Sequence, residues 1–106
     1  MKLYTKPIKV CNLDYTMIHN DTITLNGVEV NGLIKPSQIE IHIGNSLPKQ
    51  FYCKTLMHEI VHAIMLNYSL DIDEAEEERF VDCMASGVLT VMRDNPDLVK
   101  FFMEEK

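Results

Sequence analysis

The run from Leu56 to Met65 restricts the fold more than any other part of the chain, because it sets His58-Glu59-Ile60-Val61-His62 among residues that are otherwise apolar. Leu56, Met57, Ile60, Val61, Ala63, Ile64 and Met65 leave no polar face for solvent, so the spacing predicts a helix buried on most sides. Successive residues of a helix turn by roughly 100°. His58 and His62 therefore project from one face, one turn apart, with Glu59 on its flank. Buried imidazoles and a buried carboxylate need partners. Zinc suits this pair, since it takes neutral imidazole nitrogen and tolerates an open fourth position that a water can fill beside Glu59. There the metal acidifies the water and Glu59 takes its proton, the mechanical content of H-E-x-x-H.

A catalytic zinc site usually takes three protein ligands, so a third is expected from another element. The acidic cluster Asp71, Asp73, Glu74, Glu76, Glu77 and Glu78 is the obvious source, although most acidic residues in a helix's first turn serve the positive end of the dipole and face water. Glu77 precedes Val81 by four residues and Met84 by seven, in line with the apolar face, and is the first choice. Glu78 and Glu76 are the alternates: Glu78 is rotated toward the polar side, where its i, i+4 partner Asp82 could support a ligating histidine, and Glu76 aligns with Phe80.

Around this helix the pattern predicts an α+β domain: a small N-terminal antiparallel sheet packed on two long helices plus a short C-terminal helix. Ile8 and Val10, then Leu13, Tyr15 and Met17, alternate with polar residues across a phase slip near Asn12, giving one or two strands, the slip fitting a bulge. Asn26-Gly27 between Thr22–Leu25 and Val28–Val30 is a strong hairpin signal. Asn31-Gly32 makes a second turn, Lys35-Pro36 interrupts the chain, and Ile39, Ile41 and Ile43 form a period-two strand that puts His42 on the face opposite the core. Ser46 is expected to cap a helix over residues 47–67 with Pro48 in its first turn. After a loop at Tyr68-Ser69-Leu70, Asp73 and Glu76 form a capping box for a second helix, reaching about Arg93. Its inner face is expected to collect Phe80, Val81, Met84, Val88, Val91 and Met92. Pro96 opens a third helix to about Glu104, packing Leu98, Val99, Phe101 and Phe102 against the rest.

With 106 residues, one domain spanning residues 1–106 is expected. A net charge of -6 without a Lys/Arg cluster argues against direct nucleic-acid binding. Cys11, Cys53 and Cys83 suit no disulfide framework and read as packed, reduced thiols of a cytoplasmic protein. No signal-peptide or membrane-spanning run is visible.

Ile39-x-Ile41, then Thr55-Leu56-Met57-His58-Glu59-Ile60-Val61-His62-Ala63-Ile64, then Glu77-Glu78-x-Phe80-Val81, resembles small phage and prophage zinc metallopeptidases related to the ImmA/IrrE family, with a gluzincin-like arrangement. The resemblance covers about residues 33–96 and is concentrated in the H-E-x-x-H helix. Many of those proteins have glycine where this chain has Val61. The resemblance implies a minimal zincin with His58, His62 and a glutamate as zinc ligands and Glu59 as catalytic base. It also implies a protein or peptide substrate such as a transcriptional regulator, since relatives act on repressors. Tyr15, Tyr52, Tyr68, His19 and His42 are candidate donors to a transition state, each with an ordinary packing role as its competing reading. The residues 38–43 strand is a candidate edge for an added peptide. The alternative is a non-catalytic interaction module in which zinc only staples two helices. Glu59 favours the enzyme, because a closed structural site has no use for a carboxylate beside an open position.

Overall fold

The structure, a computed structural model, describes residues 2–68 and 72–104. Six strands precede three helices: β1 (Ile8–Val10), β2 (Leu13–Asn20), β3 (Ile23–Leu25), β4 (Val28–Val30), β5 (Gly32–Lys35), β6 (Glu40–Gly44), α1 (Lys49–Asn67), α2 (Glu74–Asp94) and α3 (Pro96–Glu104). The expected α+β order is present. Ser69, Leu70 and Asp71, in the expected loop and the acidic cluster, lie outside the described residues.

The phase slip at Asn12 is a two-residue turn and not a bulge. Cys11 and Asn12 both adopt positive φ, at 50° and 72°, and β1 pairs antiparallel with β2 across them. Left-handed residues at both central positions match the twist of the flanking strands. Asn26 and Gly27 make the same turn, with φ of 54° and 81°, between β3 and β4. The main sheet has the order β1-β2-β6-β5, and here the antiparallel expectation fails in one place: β2 and β6 run parallel, Met17 opposite Ile41 and His19 opposite Ile43. The reason is topological. The β3–β4 hairpin returns the chain to the end of β2 from which it left, so β5 runs back and β6, after the turn at Pro36–Gln38, runs forward beside β2. The expected edge strand is therefore interior, and β1 and β5 are the edges, β5 the one beside β6.

α1 starts two residues later than expected: Pro48, not Ser46, occupies the N-cap. It lies between the sheet and α2. Tyr52 and Ala63 join Tyr15, Met17, Ile41 and Ile43 in one core, with Leu56 and Ile60 packed against it, while Val61 and Met65 join Val81 and Ala85 in the other. The Tyr52 hydroxyl ties the first turn of α1 to the sheet, 2.7 Å from His19 Nε2 and accepting from the Tyr4 backbone N–H at 3.1 Å. Burial lowers the pKa of His19, in keeping with a neutral ring that accepts the tyrosine proton. His42 points away from Ile41 and Ile43 as expected, yet it is buried and bonded to Glu40 Oε1 at 2.9 Å.

Two expectations about packing are corrected. In α2 only Val81 and Ala85 are buried, while Phe80, Met84, Val88, Val91 and Met92 are exposed, and α3 buries none of its residues. Cys11 and Cys83 are exposed free thiols, and only Cys53 is partly buried. No helix among the described residues is long and apolar enough to cross a membrane.

Gly32 sets how closely β5 approaches α1. A Cβ there would stand 2.7 Å from Thr55 Cγ2 and 2.9 Å from the carbonyl oxygen of His42. The second contact is backbone and cannot yield cheaply. Gly32→Ala is expected to cost about 1–3 kcal/mol, read as a lower urea midpoint at unchanged slope.

Candidate metal centre

His58 and His62 converge as helical spacing requires, with their Nε2 atoms 3.2 Å apart. The residue from α2 that meets both is Glu78, whose Oε1 lies 2.9 Å from His62 Nε2 and Oε2 3.3 Å from His58 Nε2. His58, His62 and Glu78 form a group that could hold a metal ion. This corrects the first choice among the glutamates. Glu77 Oε2 lies 2.9 Å from His62 Nδ1, the nitrogen turned away from the group, and Glu76 stands in the capped first turn, its backbone N–H donating to Asp73 Oδ1.

The correction has a rotational cause. The apolar face that favours Glu77 runs through Phe80, Val81, Met84, Val88, Val91 and Met92, and of these only Val81 is buried against α1. The face that does meet α1 runs through Glu78, Val81, Asp82 and Ala85, centred about 90° further round the helix from Glu77 at 100° per residue. Asp82 takes the supporting place anticipated for it, with Oδ1 3.0 Å from His58 Nδ1.

The proton positions follow from these contacts. An ionised carboxylate only accepts, so each Nδ1–H donates, His58 to Asp82 and His62 to Glu77. That fixes the tautomer and leaves each Nε2 as a lone pair. Two lone pairs and a carboxylate then face one another within hydrogen-bond distance without a proton among them. Acceptors converge in this way only around positive charge, a metal ion or added protons. The flanking carboxylates also orient the rings, as metal-bound histidines require.

Glu59 is 6% exposed and opens onto the same cleft. Burial pushes its pKa up to about 7, His62 pulls it down, and the charge of Glu78 raises it again. For the metal-free protein the sign is clear. Between its unfolded value of 4.5 and about 7, Glu59 keeps its proton when folded and loses it when unfolded. Its contribution to stability therefore falls as pH rises through that window. In chelator, Glu59→Gln is expected to become the more stable protein toward pH 8, with a gap of up to about 3 kcal/mol that closes below pH 5. Urea midpoints of both proteins across that range measure it.

The cleft, ≈ 640 Å³, lies between the site and the edge of the sheet. Leu25, Val30, Leu33 and Phe51 supply an apolar wall, and Lys54, one turn before His58, supplies a cation. None of the candidate donors Tyr15, Tyr52, Tyr68, His19 and His42 lines it. Tyr15 and Tyr52 are core residues with hydrogen bonds of their own, and Tyr68 is exposed. Lys54 had a signal in the sequence, since it stands four residues before His58. Asn31 and Leu33 had none, because the approach of β5 to α1 depends on the crossover.

Compared with known proteins, the chain matches no family model, no curated protein and no solved structure.

Proposed function

We propose that the chain is a zinc-dependent endopeptidase of the minimal zincin kind, resembling the ImmA/IrrE metallopeptidases. The observation that carries the reading is the convergence of His58 Nε2, His62 Nε2 and Glu78 on one point at the wall of an open cleft, with buried Glu59 beside it. The two Nε2 atoms stand 3.2 Å apart, and the Glu78 carboxylate meets them through different oxygens, Oε1 at 2.9 Å from His62 and Oε2 at 3.3 Å from His58. A histidine pair with one carboxylate is a donor set that suits zinc. His58, His62 and Glu78 would hold it, and zinc so bound polarises a peptide carbonyl and acidifies a water in its open position.

The chain's own residues do the rest. Glu59 accepts the proton of the attacking water and passes it to the leaving amine. Glu77 and Asp82 keep both rings in the tautomer that presents Nε2. The edge strand β5, with no strand beyond it among the described residues, offers backbone groups to an extended peptide laid along the cleft. The apolar wall suits a bulky apolar side chain of that peptide. Lys54 and Asn31 are the cleft's candidate donors to the developing oxyanion. A regulatory protein, such as a repressor encoded nearby, is the proposed substrate. Glu59 favours this reading over a zinc staple between α1 and α2, which would not require a buried carboxylate at the cleft.

The test is incubation of zinc-loaded and chelated protein with repressors encoded beside it, with fragments identified by mass spectrometry. Cleavage at one bond, lost on chelation and regained with zinc, is expected. A zinc-loaded protein that binds such a repressor yet leaves it uncut would favour the interaction module.

A further inference from the structure

Among the described residues, nothing covers the face of α2 that carries Met84, Val88, Val91 and Met92, and α3 buries none of its residues. From Cys83 to Met92, α2 carries no charge on any side, a pattern that belongs in an interior. Yet Met84, Val88, Val91 and Met92 are each more than a third exposed, and Phe101 and Phe102 of α3 are 57% and 62% exposed. A helix as short as α3 is not stable by propensity alone and needs apolar packing. Between the two helices runs an apolar groove of ≈ 490 Å³ lined by Met84, Val88, Val91, Leu98 and Phe102. Gly87 also faces it, and a Cβ there would meet nothing within 4 Å. Glycine in mid-helix costs stability and relieves no crowding within this chain.

We infer that a second copy of the chain covers this face, the two α2–α3 pairs packing about a two-fold axis. Three observations select that occupant. The exposed apolar side chains of the two helices leave on the order of 700 Å². That exceeds the roughly 300–600 Å² patch of a typical monomer and approaches the ~800 Å² that each partner gives to a standard interface. Second, the groove and the exposed Phe102 at its wall lie on one patch, so the surface offers both a recess and an aromatic side chain to a self-complementary contact. Third, the charge is distributed to permit it. Asp73, Glu74, Glu76, Glu77, Glu78 and Asp82, offset only by Arg79, concentrate negative charge at the other end of α2, while Arg93 and Lys100 nearly balance Asp94, Asp97 and Glu104 beside the groove. At 1.5 Å per residue Glu78 is roughly 20 Å along the helix from Val91. This is beyond the Debye length of about 8 Å, so the first-turn acids of two copies are screened from the Val91 end of the contact, and Asp82, next to Cys83 and Met84, is the one acid of that group at the groove's edge.

Sedimentation equilibrium of the full chain, from low to high micromolar concentration, tests this. The expected mass is twice the 12.2 kDa of one chain. Val91→Glu and Phe102→Glu are expected to return it to a single chain with unchanged far-ultraviolet dichroism, and Glu74→Lys to leave the dimer intact. Should the groove variants not fold, the wild-type thermal midpoint decides, because a dimer's midpoint rises with concentration. A single-chain mass with a concentration-independent midpoint overturns the proposal, as does a dimer that survives both substitutions. A monomer that binds an apolar dye, with binding lost in Val91→Glu, would assign the face to another partner and equally overturn it.

Discussion

Replacing Glu78 by alanine is expected to abolish stoichiometric metal binding, whereas Glu77→Ala keeps the metal with an affinity lowered about 10–100-fold. The difference rests on which imidazole nitrogen each carboxylate meets. Glu78 faces both Nε2 atoms, at 2.9 and 3.3 Å, and its removal leaves two ligands on one helix. Glu77 faces Nδ1 of His62, so its removal frees the ring to rotate but leaves the group intact. Asp82→Ala should resemble Glu77→Ala, through His58. Competition of each protein against a zinc-binding dye reads the affinities. Thermal midpoints give an independent reading, because a ligand at 1,000 times its dissociation constant stabilises the folded state by about 4 kcal/mol. Zinc should therefore raise the midpoint of the wild type and of Glu77→Ala but not that of Glu78→Ala. Full retention of zinc by Glu78→Ala would remove the glutamate from the site.

The reasons Glu78 was the alternate and not the first choice also mark how far the sequence could be read. Local signals carried well. Asn26-Gly27, the Asp73 N-cap and the helical spacing of His58 and His62 act over a few residues, and each appears in the fold where its chemistry puts it, with Asp73 accepting from the Glu76 N–H as one half of the expected capping box. What depended on distant elements was not legible. The parallel pairing of β2 with β6 follows from how the β3–β4 hairpin returns the chain, and it moves the sheet edge from β6 to β5. The rotation of α2 was misjudged because one helix carries two apolar faces, Val81 and Ala85 toward α1 and Met84, Val88 and Val91 toward the groove beside α3. Read as one stripe they centre near Glu77, close to the outer face and well off the one that meets α1. A carboxylate that reaches around the flank of a helix, as Glu78 does, departs from the apolar stripe by design of its chemistry. Periodicity of apolar residues reports burial, and a ligand beside an open cleft is half in solvent.

Glu59→Gln is expected to retain the metal and lower kcat/KM about 10²–10⁴-fold on any substrate the protein cleaves. The amide preserves the volume of a side chain that is 6% exposed, so the packing of α1 should survive, while its nitrogen cannot accept a proton. The metal should be retained because His58, His62 and Glu78 are untouched, with its affinity held or lowered slightly, since a bound cation and an ionised Glu59 favour one another. A pH profile separates this role from a structural one. Burial holds Glu59 at about 7 in the metal-free protein, and a bound cation favours the ionised form. The acid limb of kcat/KM in the zinc-loaded enzyme should therefore fall below 7 and should vanish from whatever activity Glu59→Gln retains. The joint outcome is decisive: equal metal content and equal cleavage by wild type and Glu59→Gln would leave the buried carboxylate without a part in the reaction, and the interaction module would then be the better account of the site.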